Sequence, residues 1–600
     1  MTTARVSTHW RRGIWAAFFF IISIPLLLRL ADLSGWPALT APLHPYNPDV
    51  WLRLALVRDW LTGADFYSHA VPQTNAPSGG ITSHWTRPLD FLLAGLYKLM
   101  PSRDVPELRL MLAAAWYPAL LSVAAAGLMA AAARRIFNHN HVLACVILLF
   151  FCSPYFGDYF KPGDADHHGL MSVLWCGILV LLARRSLPPR HAFLAGLLTG
   201  LIIWISTEGL LIYAATLGVM GVNAFLASGD DKNRMPAPVY AALGAAIAVT
   251  LGLPVEMSAP LILTRVTYDS MSIVHTAVLW MAFAAVFATI MLWRKTPHQK
   301  TRFGIAAIIG CLGSFSVYTF YPKFFLGPMA DADPYIFTDF LPVVGEAQPL
   351  LAASFKHYAP TLLQPLLAAL LLFSVFRRRR NAPRKAVLQM LGILLGMMLL
   401  LTLVQTRWAY YMAPIAIILC AGLLPTISIA ARRFSFAPRR WQPYLVITIM
   451  AAYIAGTAAA SVKMQQSGTA AGTGCMSEIR YVIQTQQLQN LLGGKSDIFY
   501  TYEDVGGEMI FFTPYRIIGS NYHREVSGLR DLKEMRMATD IDALHALLKK
   551  RKVDTLLVCP VYQPRFFKPD AELPAWLQPV EGMRFYQQQG NKPLLLRVLP

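Results

Sequence analysis

Four short segments of the sequence concentrate residues able to do chemistry. The densest is Lys161-Pro162-Gly163-Asp164-Ala165-Asp166-His167-His168-Gly169, which places two carboxylates and two imidazoles within five residues. These are hard and borderline ligands suited to Mg2+ or Mn2+. The plainer reading is a helix cap, but a cap needs one such side chain and not four, so a metal site is favoured. A second segment, Val343-Val344-Gly345-Glu346-Ala347-Gln348-Pro349, holds a single acid in an apolar stretch. A half-buried carboxylate needs a partner, and a cation is one. The third, Gln405-Thr406-Arg407-Trp408-Ala409-Tyr410-Tyr411-Met412-Ala413-Pro414, sets one arginine beside three aromatics. Its planar guanidinium fork suits a phosphate, although an arginine snorkelling to a membrane interface has the same signature. The fourth is Asn47-Pro48-Asp49-Val50-Trp51-Leu52-Arg53, followed by Arg58, Asp59 and Asp65. By itself it reads as a solvated interfacial helix anchored by Trp51 and Trp60.

For these segments to form one site, a membrane must carry them to one side. Of 600 residues, 55% are hydrophobic and only 14% charged, which excludes an ordinary soluble multidomain chain. A net charge of +20 would fit a nucleic-acid binder if the basic residues clustered among polar ones. They stand instead in short runs at the ends of apolar stretches: Arg134-Arg135, Arg184-Arg185, Arg294-Lys295, Arg377 to Arg380 and Arg432-Arg433. Such runs set topology and touch anionic membrane lipids, and no nucleic-acid partner is expected.

Stretches of about 20 apolar residues predict about thirteen spans, centred near residues 23, 120, 149, 176, 198, 218, 245, 284, 311, 367, 395, 420 and 452. The first, Gly13 to Leu30, follows Arg11-Arg12 and lacks a small-residue cleavage site, so it reads as a retained span with a cytoplasmic amino terminus. Alternating from there, the basic loops fall in the cytoplasm. All four chemical segments fall on the other side, two of them in the long external loops 35–106 and 321–358.

An odd span count leaves the tail external. Residues 1–464 are expected to form the transmembrane domain, 465–476 a linker, and 477–600 a small external α/β domain. The strand-like runs are Ser496 to Tyr502, Met509 to Ile518, Val553 to Val558 and Pro593 to Val598, with an amphipathic helix Asp540 to Lys552 after a capping Thr539. Cys475 and Cys559 share this oxidising side, where a disulfide is allowed but sequence does not show their separation.

In this order, the segments resemble the catalytic subunit of oligosaccharyltransferases, membrane enzymes of the GT-C glycosyltransferase class. Shared features are an acid, an aromatic and an Arg in the first external loop, an Asp-x-Asp or Asp-x-His element before the fourth span, Glu-x-Gln-Pro in a later loop, and Arg followed by Tyr-Tyr-x-Ala-Pro. The resemblance implies a polytopic α-helical GT-C fold of about thirteen transmembrane helices with an external carboxy-terminal α/β domain. It implies that Asp49, Asp166, His168 and Glu346 hold a divalent metal, Mn2+ or Mg2+, with Asp164 as the alternative ligand. Asp49 and Glu346 would also face the acceptor, Arg407 would hold the donor's phosphate, and Arg53 would join the substrate-binding residues.

The family's acceptor motif Trp-Trp-Asp-Tyr-Gly has its nearest counterpart here in Thr501-Tyr502-Glu503-Asp504-Val505-Gly506. Asp504 and the glycine are kept, and both tryptophans are missing. Neighbouring Thr513-Pro514-Tyr515-Arg516 and Asn521-Tyr522-His523-Arg524 are possible contacts for a glycan or another acceptor, or simply polar residues of half-buried strands.

The expectation is metal-assisted, inverting transfer of a sugar or oligosaccharide from a polyprenyl phosphate or pyrophosphate to a glycan, lipid or protein acceptor. It places the protein in a bacterial inner membrane and the reaction at its periplasmic face. The missing tryptophans favour a second GT-C chemistry, in which a polyprenyl-monophosphate monosaccharide modifies a lipid or polysaccharide. A polytopic transporter would place its ionisable residues in mid-span, whereas here nearly all acids outside the tail lie in loops or at span ends, with Glu208 the candidate exception.

Overall fold

The computed structural model describes residues 48–599 apart from 101–105, 139–141, 152, 154–158, 161–162, 185–186, 227–234, 353–354, 379–383, 432–472, 486, 495–496, 560–572 and 581–592. The expected first span, the last span near residue 452 and most of the linker lie outside the described residues. Six described helices are long and apolar enough to cross a membrane, and four shorter apolar helices accompany them.

The first described segment holds α1 (Pro48–Leu61), the short antiparallel strands β1 (Ala70–Val71) and β2 (Ile81–Thr82), and α2 (Arg87–Leu99). The helices of the bundle follow as α3 (Pro106–Phe137), α4 (Val142–Phe151), α5 (His167–Leu182), α6 (Pro189–Ile205), α7 (Gly209–Phe225), α8 (Ala237–Glu256), α9 (Ile273–Lys295), α10 (Gln299–Phe320), α11 (Phe355–Arg378), α12 (Lys385–Val404) and α13 (Ala409–Ala431). Helix α13 is the hub and packs on α3, α4, α5, α11 and α12. Residues 406–423 are 94% buried, against 6% for the apolar window of α10, so α13 sits inside the bundle and α10 presents its side chains outward.

Helices α6 and α8 touch backbone to backbone. A Cβ at Gly196 would meet Ala241 O at 2.0 Å, and one at Gly244 would meet Phe193 O at 2.3 Å. Where lipid supplies no hydrophobic drive between helices, small residues at this spacing let dispersion contacts hold the pair.

The carboxy-terminal residues form a mixed sheet in the order β4-β3-β5-β7-β6, from β3 (Ile498–Tyr500), β4 (Arg516–Ile517), β5 (Thr555–Val558), β6 (Leu577–Pro579) and β7 (Leu594–Val598). Strand β3 is parallel to β4 and β5, and β7 is antiparallel to β5 and β6. Strands β3 and β5 are buried at every residue, hence continuous apolar runs without alternation. Helix α14 (Thr473–Gln484) precedes the sheet, and a disulfide from its Cys475 to Cys559 ties it to the end of β5.

Two local expectations change. The run from Met509 to Ile518 is not a strand throughout: Glu503–Phe512 is a helix, α15, and only Arg516–Ile517 joins the sheet. An unbroken apolar run such as Met509 to Phe512 looks the same in a buried helix as in a buried strand. The amphipathic helix, α17 (Ile541–Lys550), is capped by Asp540 and not by Thr539: Asp540 Oδ1 accepts from Ala543 N at 2.7 Å. Between β4 and α17 lies α16 (Val526–Met537).

This unit grips the segment between α1 and α2. Ile517 N donates to Gln73 O at 2.7 Å and Ala76 N to Ile517 O at 3.0 Å, extending the β4 edge. Thr74 Oγ1 donates to buried Glu525 at 2.6 Å and His84 N to Tyr522 Oη at 2.8 Å, while Arg524 pairs at 2.6 Å with Asp269 in the loop between α8 and α9.

Candidate active site

Asp49 stands in the first turn of α1, but α1 is not the solvated interfacial helix that its sequence suggests. Every residue from Val50 to Val57 is buried, and Trp51 lies between Phe511 and Phe512 with ring centroids 5.4 and 5.2 Å away. Helix α15 supplies the cover, and Arg58 donates to its terminal carbonyls at Ile510 (3.2 Å) and Phe511. Helix α1 thus has tertiary partners where a lone amphipathic helix would have solvent.

The Asp/His segment caps α5. Asp166 Oδ1 accepts from His167 N at 2.6 Å and lies 2.5 Å from His167 Nδ1, while Asp166 Oδ2 is 3.9 Å from His168 Nε2. Asp166, His167 and His168 each offer a ligand atom within 4.8 Å of the others. Burial penalises the Asp166 carboxylate, but the two imidazoles outweigh it and hold the group below the usual carboxylate range. His168 is 5% exposed, and its Nδ1 is buried with no hydrogen-bond partner among the described residues. Two imidazoles and a carboxylate with ligand atoms this close, in a buried setting, form a donor set that fits a divalent cation.

Glu346 and Arg407 are fastened together by backbone. Thr406 N donates to Gln348 O at 3.0 Å, and Thr406 Oγ1 reaches the carbonyls of Gly345 and Glu346 at 3.1 Å each. Gln348 Nε2 closes the turn onto Leu341 O at 2.6 Å, which explains a glutamine two residues after the acid. Arg407 Nη2 then meets Glu346 Oε1 at 3.1 Å, its Nη1 pairs with Glu208, and Tyr159 Oη donates to Glu346 Oε2 at 2.9 Å.

Asp49 belongs to the same electrostatic unit. Its carboxyl is pushed up to about 7, first by burial and then by the negative charges of Asp166 and Glu346. Carboxylates that resist ionising together are what a bound cation would relieve.

No family model matches the chain, and no curated protein matches it. Solved structures do. The apo oligosaccharyltransferase of Archaeoglobus fulgidus superposes with a TM-score of 0.68 at 14% identity, covering 93% of this chain and 70% of that one. The same archaeal enzyme, AglB, in complex with an inhibitory peptide and a dolichol-phosphate gives 0.67 at 14% identity over 91% and 70%. The chain has the GT-C fold. ArnT from Cupriavidus metallidurans covers 95% and 97% at 12% identity with a TM-score of 0.41, too loose a likeness to place residues.

Within this GT-C bundle the expected residues divide. Asp49, Asp166, His168, Glu346 and Arg407 come from four separate segments and interact by contact or by charge. Asp164 is half-buried two residues before Asp166, and it lies outside the compact Asp166, His167 and His168 group, as do Asp49 and Glu346. Arg53, expected at the substrate, is 3% exposed, bound to Asp90 at 2.9 Å and stacked 4.7 Å from the Trp85 ring, with its charge within reach of Asp49 and His167. Asp504 is exposed on α15, the helix that covers α1. Two members of the group carry little signal in the sequence: Glu208 stands out only as an acid at a span end, and nothing separates Tyr159 from other aromatics. His167 belongs to the ligand-rich run but not to the ligand set that the resemblance implies.

Proposed function

We propose that the protein is a membrane glycosyltransferase that moves a sugar or oligosaccharide from a polyprenyl phosphate or pyrophosphate to an acceptor at the periplasmic face of a bacterial inner membrane. The observation that carries this reading is the convergence of Asp49, Asp166, His168, Glu346 and Arg407 within a GT-C fold. Structures of Archaeoglobus fulgidus oligosaccharyltransferase hold a dolichol-phosphate with an inhibitory peptide, and Zn with sulfate, which supports a lipid-phosphate donor and a bound cation for this chain.

In this reading Asp49, Asp166, His168 and Glu346 hold Mn2+ or Mg2+, with Asp164 in reserve. The cation supplies Lewis-acid neutralisation of the charge that develops on the departing phosphate. Arg407 binds the phosphate oxygens through its planar fork. The bond from the anomeric carbon to the phosphate oxygen breaks, and the phosphate keeps the electron pair. The acceptor heteroatom attacks from the opposite face and gives its proton to Asp49, so the configuration inverts. Arg53 acts through the α1–α2 packing as a positioning residue, and Asp504 lies on the acceptor side.

A second reading, monosaccharide transfer from a polyprenyl monophosphate to a lipid or polysaccharide, is favoured by the absence of both tryptophans in Thr501 to Gly506. Mass spectrometry of polyprenyl-linked saccharides in host membranes separates the two. With Asp166→Ala or Glu346→Ala, build-up of a pyrophosphate-linked oligosaccharide supports the first and of a monophosphate-linked sugar the second. Unchanged lipid-linked saccharides would refute both.

A further inference from the structure

Arg407 is the proposed phosphate ligand, yet its guanidinium is already taken by two carboxylates, Glu208 at Nη1 and Glu346 at Nη2. One positive charge between two negative ones leaves a net negative group, with Asp49 within electrostatic reach of Glu346 and with His167 and His168 within reach of Glu208. A phosphate approaching Arg407 meets the two carboxylates that occupy its guanidinium before it meets a free donor.

The two carboxylates are held differently. Glu208 opens α7 behind a turn so tight that a Cβ at Gly209 would come within 2.7 Å of Ile203 N, and its side chain is 19% exposed. Glu346 lies on a loop of single turns, is 36% exposed, and shares its second oxygen with Tyr159. Glu208 Oε2 and Arg407 Nε are both buried without a hydrogen-bond partner among the described residues, so the bridge leaves donor and acceptor capacity unused. Glu346 is therefore the carboxylate able to leave the arginine, and Glu208 the one that stays.

We infer that Glu208 is a positioning residue that fixes the fork of Arg407, and that Glu208 and Glu346 together block Arg407 so that a lipid phosphate is captured only after a divalent cation has drawn Glu346 away. This rests on the proposed function and adds an order of binding to it. Glu208 is not a metal ligand here; it acts by neutralising Nη1 while Nη2 is released.

The test is equilibrium binding of a short-chain polyprenyl phosphate to the full-length protein in lipid nanodiscs, in EDTA and in Mn2+, with no turnover involved. Wild type should bind about tenfold or more tightly in Mn2+ than in EDTA, a coupling of ordinary allosteric size. Glu208→Gln, which keeps the shape and one hydrogen-bond acceptor, should bind severalfold more tightly than wild type in EDTA, with a correspondingly smaller Mn2+ effect. Its affinity for Mn2+ alone should equal that of wild type. Equal wild-type affinity with and without Mn2+, or weaker EDTA binding by Glu208→Gln, overturns the inference and leaves the proposed function standing. A loss of Mn2+ affinity in Glu208→Gln overturns it by making Glu208 a ligand. Failure of wild type to bind the lipid phosphate under either condition contradicts the proposed function itself.

Discussion

Gly507 of α15 lies against the carbonyl of Pro48, the residue before Asp49, so closely that a Cβ there would come within 3.0 Å of the Pro48 oxygen and 3.1 Å of Trp51 Cβ. The carboxy-terminal unit therefore sets the position of the proposed catalytic carboxylate through backbone contact. Gly507→Ala should displace α1 and lower sugar transfer severalfold, with a destabilisation of about 1–3 kcal/mol typical of overpacking. Gly507→Val should be worse. Transfer assays beside thermal unfolding check this, and an active Gly507→Val protein would show that α15 does not position Asp49.

Replacing Asp49 should separate stability from activity. In the cation-free protein its ionised form is opposed by burial and by two neighbouring carboxylates. Asp49→Asn removes that charge, so at pH 8 in EDTA the melting temperature should hold or rise. Transfer should fall by about a hundredfold or more, the scale of losing a general base. A large fall in melting temperature would mean that Asp49 holds the fold and not the reaction.

Arg407→Lys keeps the charge and loses the fork. Bridging Glu208 and Glu346 takes two guanidinium nitrogens at fixed separation, which one ammonium does not reproduce. Turnover should drop by about a hundredfold, as when one preorganised donor to a developing charge is removed. Steady-state kinetics with the lipid-linked donor measure this, and wild-type turnover would remove Arg407 from the phosphate site.

Glu525 makes the hold of the carboxy-terminal unit pH-dependent. Burial pushes its carboxyl from 4.5 up to about 7, despite hydrogen bonds from Thr74 and Ser520. Between these values the native state binds more protons than the unfolded chain, so stability from this group is full below about pH 4.5 and is lost as pH rises through about 7. The effect is on the order of 3 kcal/mol. Glu525→Gln should flatten the fall in melting temperature between pH 5 and pH 8, and an unchanged slope would assign the dependence to other groups.

The GT-C fold was legible because hydropathy, basic loop ends and the order of four polar segments all constrain a bilayer-spanning chain. Asp166, His168, Glu346 and Arg407 stand out in the sequence for a related reason: each is a polar group where apolar residues surround it, and such groups need partners. Arg53 has the same signature, and its partner Asp90, 37 residues on, is one that local sequence does not point to. Glu208 was visible only as an exception to the loop pattern, because its meaning comes from Arg407, 199 residues away. The helix at Glu503–Phe512 was hidden by an apolar run that suits either buried element. Trp51 likewise pointed to a membrane interface only while the covering Phe511 and Phe512 were out of view.

The central claim is that this site cleaves a polyprenyl-phosphate-linked sugar with the help of a divalent cation. Its most direct test is single-turnover incubation of the purified protein in nanodiscs with a fluorescent polyprenyl-linked saccharide and an acceptor extract, in Mn2+ or in EDTA. The account predicts release of free polyprenyl phosphate or pyrophosphate in Mn2+, its loss in EDTA, and its absence in Asp166→Ala. Release that is equal in EDTA, or unaffected by Asp166→Ala, would contradict it.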